Sequence, residues 1–367
     1  MTAGRKPPGS LLPSTLQTGI LLPGILPPGI LPPGKLPPGL LDQLLSNAPI
    51  LDGRIILGAG IGLDCAVVDP GGDSLLVFKS DPITFTSEQI GWYAVQVNAN
   101  DIACTGAEPC WFLATLLLPE GIATAEMAEA IFDQVYRACK DLKVSVIGGH
   151  TEITVGLDRP LLCSTLIGEV DRDRLVTPKG LSPGDRILLT KGVPIEAVSI
   201  LARELPERLA PALSPHDIDK ARNYLVDPGI SVVKDAHLAL AAGRVSAMHD
   251  PTEGGLYAAV WEMAQASGCA LVVDPSAVPV PELAARACAV VEIDPLASIA
   301  SGALLIAAPP GDCEKIAAAL EGEGIRCAEI GYVEPGPPKA WQVSSGSRSP
   351  LPWPEQDEIA RIFSQTL

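Results

Sequence analysis

Positive charge is in short supply in this chain: 26 Lys and Arg stand against 43 Asp and Glu, a formal net charge of −17. That balance excludes holding nucleic acid or an anionic membrane through overall charge and leaves room only for a local anion site. Histidine is scarcer still, at four, and none of the nine cysteines stand as Cys-x-x-Cys, which argues against a zinc centre of the usual spacing. The odd cysteine count reads as reduced, mostly buried thiols of a cytoplasmic protein. Long apolar runs are missing too. Pro7, Pro8 and Pro13 interrupt the start as a signal peptide, and residues 297–310 are too short and too rich in Ser and Gly to span a bilayer. There is no P-loop pattern, no Gly-x-Ser-x-Gly elbow and no evident Cys/His pair, so a P-loop site is excluded and nucleophilic catalysis is unsupported.

What the sequence does contain is organised around residues 98–109, which put Asn98, Asn100 and Asp101 into the last turns of an apolar helix before Gly106 and Pro109 stop it. At 100° per residue from Ile90, Asp101 falls at about 20°, on the apolar stripe of Ile90, Ala94 and Val97. A carboxylate there must have a partner. Thr86 and Gln89 form a capping-box pattern ahead of this helix.

In chain order, residues 1–34 are a Pro/Gly-rich leader with a Leu-Pro-Pro-Gly repeat, expected to be extended or disordered. It reads as a neutral leader, with a peptide ligand for an aromatic groove as the other reading. Residues 35–175 and 176–335 then read as two α/β domains separated near Pro178, Gly180, Pro183 and Gly184, and residues 336–367 as a linker with a short helix. Gly58, Gly60 and Gly62 form a turn that leads into a strand, not a helix, and so miss the dinucleotide fingerprint. Pro82 is expected to break the strand 75–78 just after Lys79, Ser80 and Asp81. The strand 144–147 is expected to end in Gly148, Gly149, His150, Thr151 and Glu152, and a third polar turn, Thr252 to Gly255, opens a helix.

Three elements thus deliver Asp64, Asp81 and Asp101 within a short stretch. Hard oxygen ligands gathered in this way suit Mg²⁺, which takes one or two carboxylates and completes its shell with water and substrate phosphates. Phosphoryl transfer would follow from positioning and charge neutralisation, with the N–H groups at Thr252, Gly254 and Gly255 available to a phosphate. Each feature also has a plainer explanation: an Asp beyond a strand caps or turns the chain, Gly-Gly solves a packing problem, and His150 is a hydrogen-bonded turn residue.

Seven motifs in order resemble the PurM-like superfamily, which includes aminoimidazole ribonucleotide (AIR) synthetase, the hydrogenase maturation factor HypE, selenophosphate synthetase and thiamine-monophosphate kinase. They are the 100–109 segment, the 62–66 turn, Lys79 to Asp81, the 148–152 run, Thr190 to Gly192, the 250–255 turn and the 301–306 strand, the later ones closest to HypE-like proteins. The resemblance implies a two-domain α/β (α+β) fold and a homodimer whose N-terminal sheets join into a barrel. It also implies ATP and Mg²⁺ between the domains, with activation of an amide-like or phosphate acceptor by phosphorylation. Asp64, Asp81 and Asp101 become metal or phosphate ligands, Asp81 and Asp101 carrying catalysis. Asn100, Gly148, Gly149, His150, Thr151, Thr252, Gly254 and Gly255 become nucleotide contacts. The chain departs from the family pattern at Leu63, where the turn usually has Asp, and its last cysteine is Cys327, so the HypE reaction on a C-terminal thiol is not implied. A nucleotide-binding regulatory or scaffold dimer without catalysis is the alternative.

Overall fold

The computed structural model describes residue 31, residues 34–84, residue 86 and residues 88–364. Most of the Leu-Pro-Pro-Gly leader lies outside the described residues. After helix α1 (Pro38–Leu45), strands β1 (Ile55–Leu57), β2 (Ala66–Val68) and β3 (Ser74–Ile83) lead to helix α2 (Ile90–Cys104). Then come β4 (Glu108–Pro119), α3 (Ala125–Asp141), β5 (Ser145–Thr154) and β6 (Leu161–Asp171). These strands form a six-stranded sheet of order β1-β2-β3-β6-β4-β5, antiparallel except for the β4/β5 pair.

The second sheet contains β7 (Arg186–Thr190), β8 (Ala247–His249), β9 (Ala270–Val273), β10 (Leu305–Ala308) and β11 (Cys327–Glu334). Its helices include α4 (Ile195–Glu204), α5 (Pro206–Leu209), α6 (Pro215–Arg222), α7 (Val233–Ala242), α8 (Gly255–Ser267), α9 (Glu282–Val291) and α10 (Pro310–Gly322). The tail, expected to be a linker, instead supplies β12 (Lys339–Ser344) and β13 (Ser347–Pro350), which complete the order β13-β12-β9-β11-β7-β10-β8, followed by α11 (Glu358–Ser364). Trp341 explains the difference: its apolar ring lies beneath the Arg348 guanidinium, 4.4 Å away, within this hairpin.

Helix α2 is the central element of the first half. Nearly every residue in it is buried, because it packs on β3, β4 and β6 while α3 and α7 cover its other sides. A helix enclosed in this way needs no polar face, so the expected single stripe widens to the whole circumference. Its start also differs from expectation. Gln89 in the left-handed region precedes it, and Thr86 donates instead to the Glu88 carbonyl and to Glu204 Oε1 at 3.0 Å, so no capping box forms.

Strand β3 runs through Pro82 to Ile83. Its pairing with β2 ends at Phe78, so beyond that point one edge is open and the donor that proline lacks costs no ladder bond there. Strand β5 likewise continues through Gly148 to Glu152 where a turn was expected. The register against β4 slips between Phe112 and Leu113, leaving Ile147 as an extra residue. Gly149, at φ +146°, makes that bulge possible: a Cβ there would lie 1.9 Å from the Ala114 carbonyl oxygen.

Candidate active site at the junction of the two sheets

The glycine-rich turn, β3 and α2 bring three acidic residues to the face of the first half that meets β8 and α8. Gly62 fixes the approach: at φ +67° its missing Cβ would sit 2.6 Å from the Glu262 carbonyl oxygen in α8, so the turn lies directly on that helix. Asp64 then reaches His249, at the end of β8, with Oδ2 3.0 Å from Nδ1. The other ring nitrogen of His249 is 3.1 Å from Glu262 Oε2, and Glu262 Oε1 accepts from Lys35 Nζ at 3.0 Å. This forms a continuous relay of Lys35, Glu262, His249 and Asp64 across the junction.

A second group lies beside it. Lys79 and Asp81 are two residues apart on β3 and so share a face. The Lys79 ammonium lies 3.0 Å from Asp81 Oδ2 and 2.9 Å from Asp101 Oδ2. Asp250, the residue after β8, lies near enough to Asp101 for their charges to act on each other, and Cys104 Sγ donates to Asp250 Oδ1 at 3.8 Å. Asp101, Asp250 and His249 are buried, and Lys79 is largely so, with 11% of its side chain exposed.

Burial and mutual repulsion set the protonation states. Burial pushes the Asp101 carboxyl well up, and Asp250, Asp64 and Asp81 add to this against the opposing charge of Lys79. Asp250 is raised for the same first reason, burial, so the Asp101–Asp250 pair retains a proton that isolated carboxyls would lose. Asp64 goes the other way: although burial opposes it, the imidazolium of His249, with Lys79 and Lys35, holds its carboxyl far below the usual range. His249 is raised well above its ordinary value because two carboxylates outweigh its desolvation. Cys65 and Cys104 are pushed up by burial, which leaves them as inert thiols.

The junction opens into a cavity of about 560 Å³ lined by the polar Lys35, Asp81, Thr252 and Glu253 and by Tyr93, Val97, Ile200 and Glu196. The N–H groups expected to be free at the start of α8 have partners: Gly254 N–H donates to Asp357 Oδ2 at 2.8 Å and Gly255 N–H to the Thr252 carbonyl at 2.9 Å. A carboxylate from the tail thus already takes the anion position at that helix start. Asn100 is also engaged at both ends of its amide, donating to the Ile230 carbonyl and accepting from Val232 N–H, each at 2.8 Å. Asn98 donates to the Ala94 carbonyl and to Ser164 Oγ. Gly148, Gly149, His150 and Thr151 lie on exposed β5, away from this cavity, where His150 meets Glu152 at 3.1 Å. Thus Asp64, Asp81, Asp101 and Thr252 come together, and the β5 residues do not join them.

Among the described residues no three His, Cys, Asp or Glu side chains converge to hold a metal ion as they stand. The donor chemistry nevertheless fits a hard cation. Asp81 and Asp101 are hard oxygen donors that share one ammonium between them, so the pair is already arranged about a positive charge.

Sequence reasoning missed Lys35, His249 and Glu262 and gave no role to Lys79 and Asp250, although both stand within motifs it singled out. Only the packing of the turn on α8 brings them together.

Two mixed sheets, flanked by helices and joined through a buried acid-base cluster, define a two-domain α/β protein of the PurM-like class. The chain belongs to the AIR synthase related family: the N-terminal domain of that family matches residues 62–170 and its C-terminal domain residues 182–343. A protein of Methanocaldococcus jannaschii named for hydrogenase expression/formation is 29% identical over 283 residues, 75% of this chain and 79% of its own length. The carbamoyl dehydratase HypE of Azotobacter vinelandii is 29% identical over 77% of this chain and 81% of its own. Among solved structures, the hydrogenase maturation protein HypE in complex with ATP superposes with a TM-score of 0.66 at 25% identity, covering 81% of this chain and 90% of that one. Thiamine-monophosphate kinase of Aquifex aeolicus shares the fold, with a TM-score of 0.63 over 85% and 97% of the two chains. The relatives of this chain thus include an enzyme, the carbamoyl dehydratase HypE.

Proposed function

We propose that this chain is an ATP- and Mg²⁺-dependent enzyme that phosphorylates a small acceptor in the cavity between its two halves. The supporting observation is the junction itself, where Asp64, Lys79, Asp81 and Asp101 from one half meet His249 and Asp250 from the other beside a cavity of about 560 Å³. A HypE relative solved with ATP favours the same nucleotide here.

Asp81 and Asp101, with Asp64, would hold Mg²⁺. The ion, when bound, would neutralise charge on the transferred phosphoryl group. The protein's own part is positional. Lys79 offers an ammonium to phosphate oxygens, and Thr252 lines the cavity together with Asp81. His249 keeps Asp64 ionised, and Asn100 ties α2 to residues 230–232, fixing Asp101 on the junction. In the transfer an acceptor oxygen forms a bond to the terminal phosphorus as the bond to the bridging oxygen breaks, releasing ADP.

Gly148, Gly149, His150 and Thr151 would reach a nucleotide only if their strand were carried to it by a second copy of the chain. We therefore place a homodimer, working in the cytoplasm, in the same proposal. Exposed Val146, Ile147, Ile153 and Val155 on and beside β5 support that pairing. The Lys79 ammonium held between Asp81 and Asp101 favours one other reading, a regulatory dimer that binds nucleotide without turnover.

Thermal unfolding of the full chain with ATP and Mg²⁺ tests the binding claim. The proposal expects a rise in midpoint that needs both ligands and is largely lost in Asp81→Asn; no shift with both present contradicts it. ADP release above background would exclude the regulatory reading.

A further inference from the structure

The lining of the cavity includes a carboxyl group that the phosphoryl-transfer chemistry does not use. Glu196, in the first turn of α4, is 5% exposed and lines the cavity together with Tyr93, Val97, Ile83, Ile200 and Ile299. Its Oε2 accepts the Ser301 N–H at 3.2 Å. Among the described residues no Lys, Arg or His forms an ion pair with it, as none does with the buried Asp185 and Asp250, whereas the buried carboxylates Asp101, Asp235 and Glu262 each have a cation; of the three without one, only Glu196 lines this cavity. Glu253 and Asp357, both of its own sign, act on it, and the cations Lys35 and Arg159 line the same cavity without pairing with it. A buried carboxylate in that setting is costly, and a ligand cation relieves the cost directly.

We infer that Glu196 is the specificity residue of the acceptor pocket, receiving a primary ammonium or amidinium group on a short apolar body. The apolar body lies against Val97, Ile83, Ile200 and Ile299, and the cation meets the carboxylate. The acceptor's phosphorylated oxygen then faces Asp81 and Thr252, which line the same cavity. This inference rests on the cavity being the acceptor site of the proposed reaction. Burial supports it as well, raising the Glu196 carboxyl to about 7 against the hydrogen bonds from Ser301, so the group is poised to ionise on meeting a cation.

Calorimetric titration of the full chain with isoamylamine, isoamyl alcohol and isovalerate at pH 7.5 tests this, with the Mg²⁺ complex of a non-hydrolysable ATP analogue titrated separately. The amine is expected to bind about tenfold tighter than the alcohol, equivalent to about 1.4 kcal/mol, with isovalerate weakest. Glu196→Gln should abolish that preference while nucleotide affinity stays as in the wild type. Equal binding of amine and alcohol to the wild-type protein overturns the inference without any variant, as does an amine preference that survives in Glu196→Gln. Loss of nucleotide binding in the wild type would instead overturn the phosphoryl-transfer reading, and amine selectivity would still be measurable.

Discussion

His249 neutralises two carboxylates at once, Asp64 through Nδ1 and Glu262 through Nε2, in a setting where it is only 5% exposed. Removing it leaves Asp64 without its ion-pair partner and Glu262 with Lys35 alone, so His249→Ala should lose on the order of 3 kcal/mol in urea unfolding at pH 7. The histidine's folded pKa lies well above its ordinary 6.5. Its contribution is therefore complete below pH 6.5 and lost only as pH climbs through that higher value. Glu196 has the same sign for a different reason. Its carboxyl is raised by burial from 4.5 to about 7, so the native state binds the proton more tightly, and stability present below pH 4.5 is lost as pH rises toward 7. Glu196→Gln should flatten that slope and be more stable than the wild type by about 2–3 kcal/mol at pH 8, with little difference at pH 4. Denaturant melts at the two pH values measure it; a wild-type slope that persists in the variant contradicts the assignment. Of these residues, Asp101 was legible from its place on an apolar helix and Asp64 from its turn, since a charge on a buried pattern calls for a partner. His249 was not, because nothing local distinguishes a histidine at a strand end from one facing solvent.

At the scale of the element, the glycines divide by geometry. Gly149 sits at φ +146° with a prospective Cβ 1.9 Å from the Ala114 carbonyl oxygen, while a Cβ on Gly148 would meet only Leu113 at 3.9 Å. Gly149→Ala should therefore cost on the order of 3 kcal/mol as the bulge in β5 is forced apart, and Gly148→Ala less than about 1 kcal/mol. Comparable midpoints for the two variants would show that the bulge is not what holds the strand. The same strand shows why local reading faltered. Gly-Gly and Pro punctuate a chain only where both ladder edges are occupied, and β5 has a bulge while β3 has an open edge beyond Phe78. Strand and helix order was readable through residues 110–333 because periodicity there follows burial. The hairpin of β12 and β13 was not, since Pro, Gly and Ser mask a pairing that depends on β9.

For the whole molecule, the first sheet ends on a strand whose residues are almost all exposed, Ile153 at 63% and Val155 close by at 73%. The homodimer proposal predicts sedimentation as a dimer, and Ile153→Glu with Val155→Glu should shift it to monomer. A wild-type monomer at micromolar concentration would remove the dimer and, with it, any nucleotide role for Gly148 to Thr151. The two halves are joined by the relay from Lys35 to Asp64 and by the Asn100 clamp, so the site exists only when both are folded together. The most direct test of the central claim is calorimetric titration of the full chain with a non-hydrolysable ATP analogue, with and without Mg²⁺, in the wild type and in Asp101→Asn. Binding that requires Mg²⁺ and weakens at least about tenfold in the variant is the predicted result; binding indifferent to Mg²⁺, or undiminished in Asp101→Asn, would contradict it.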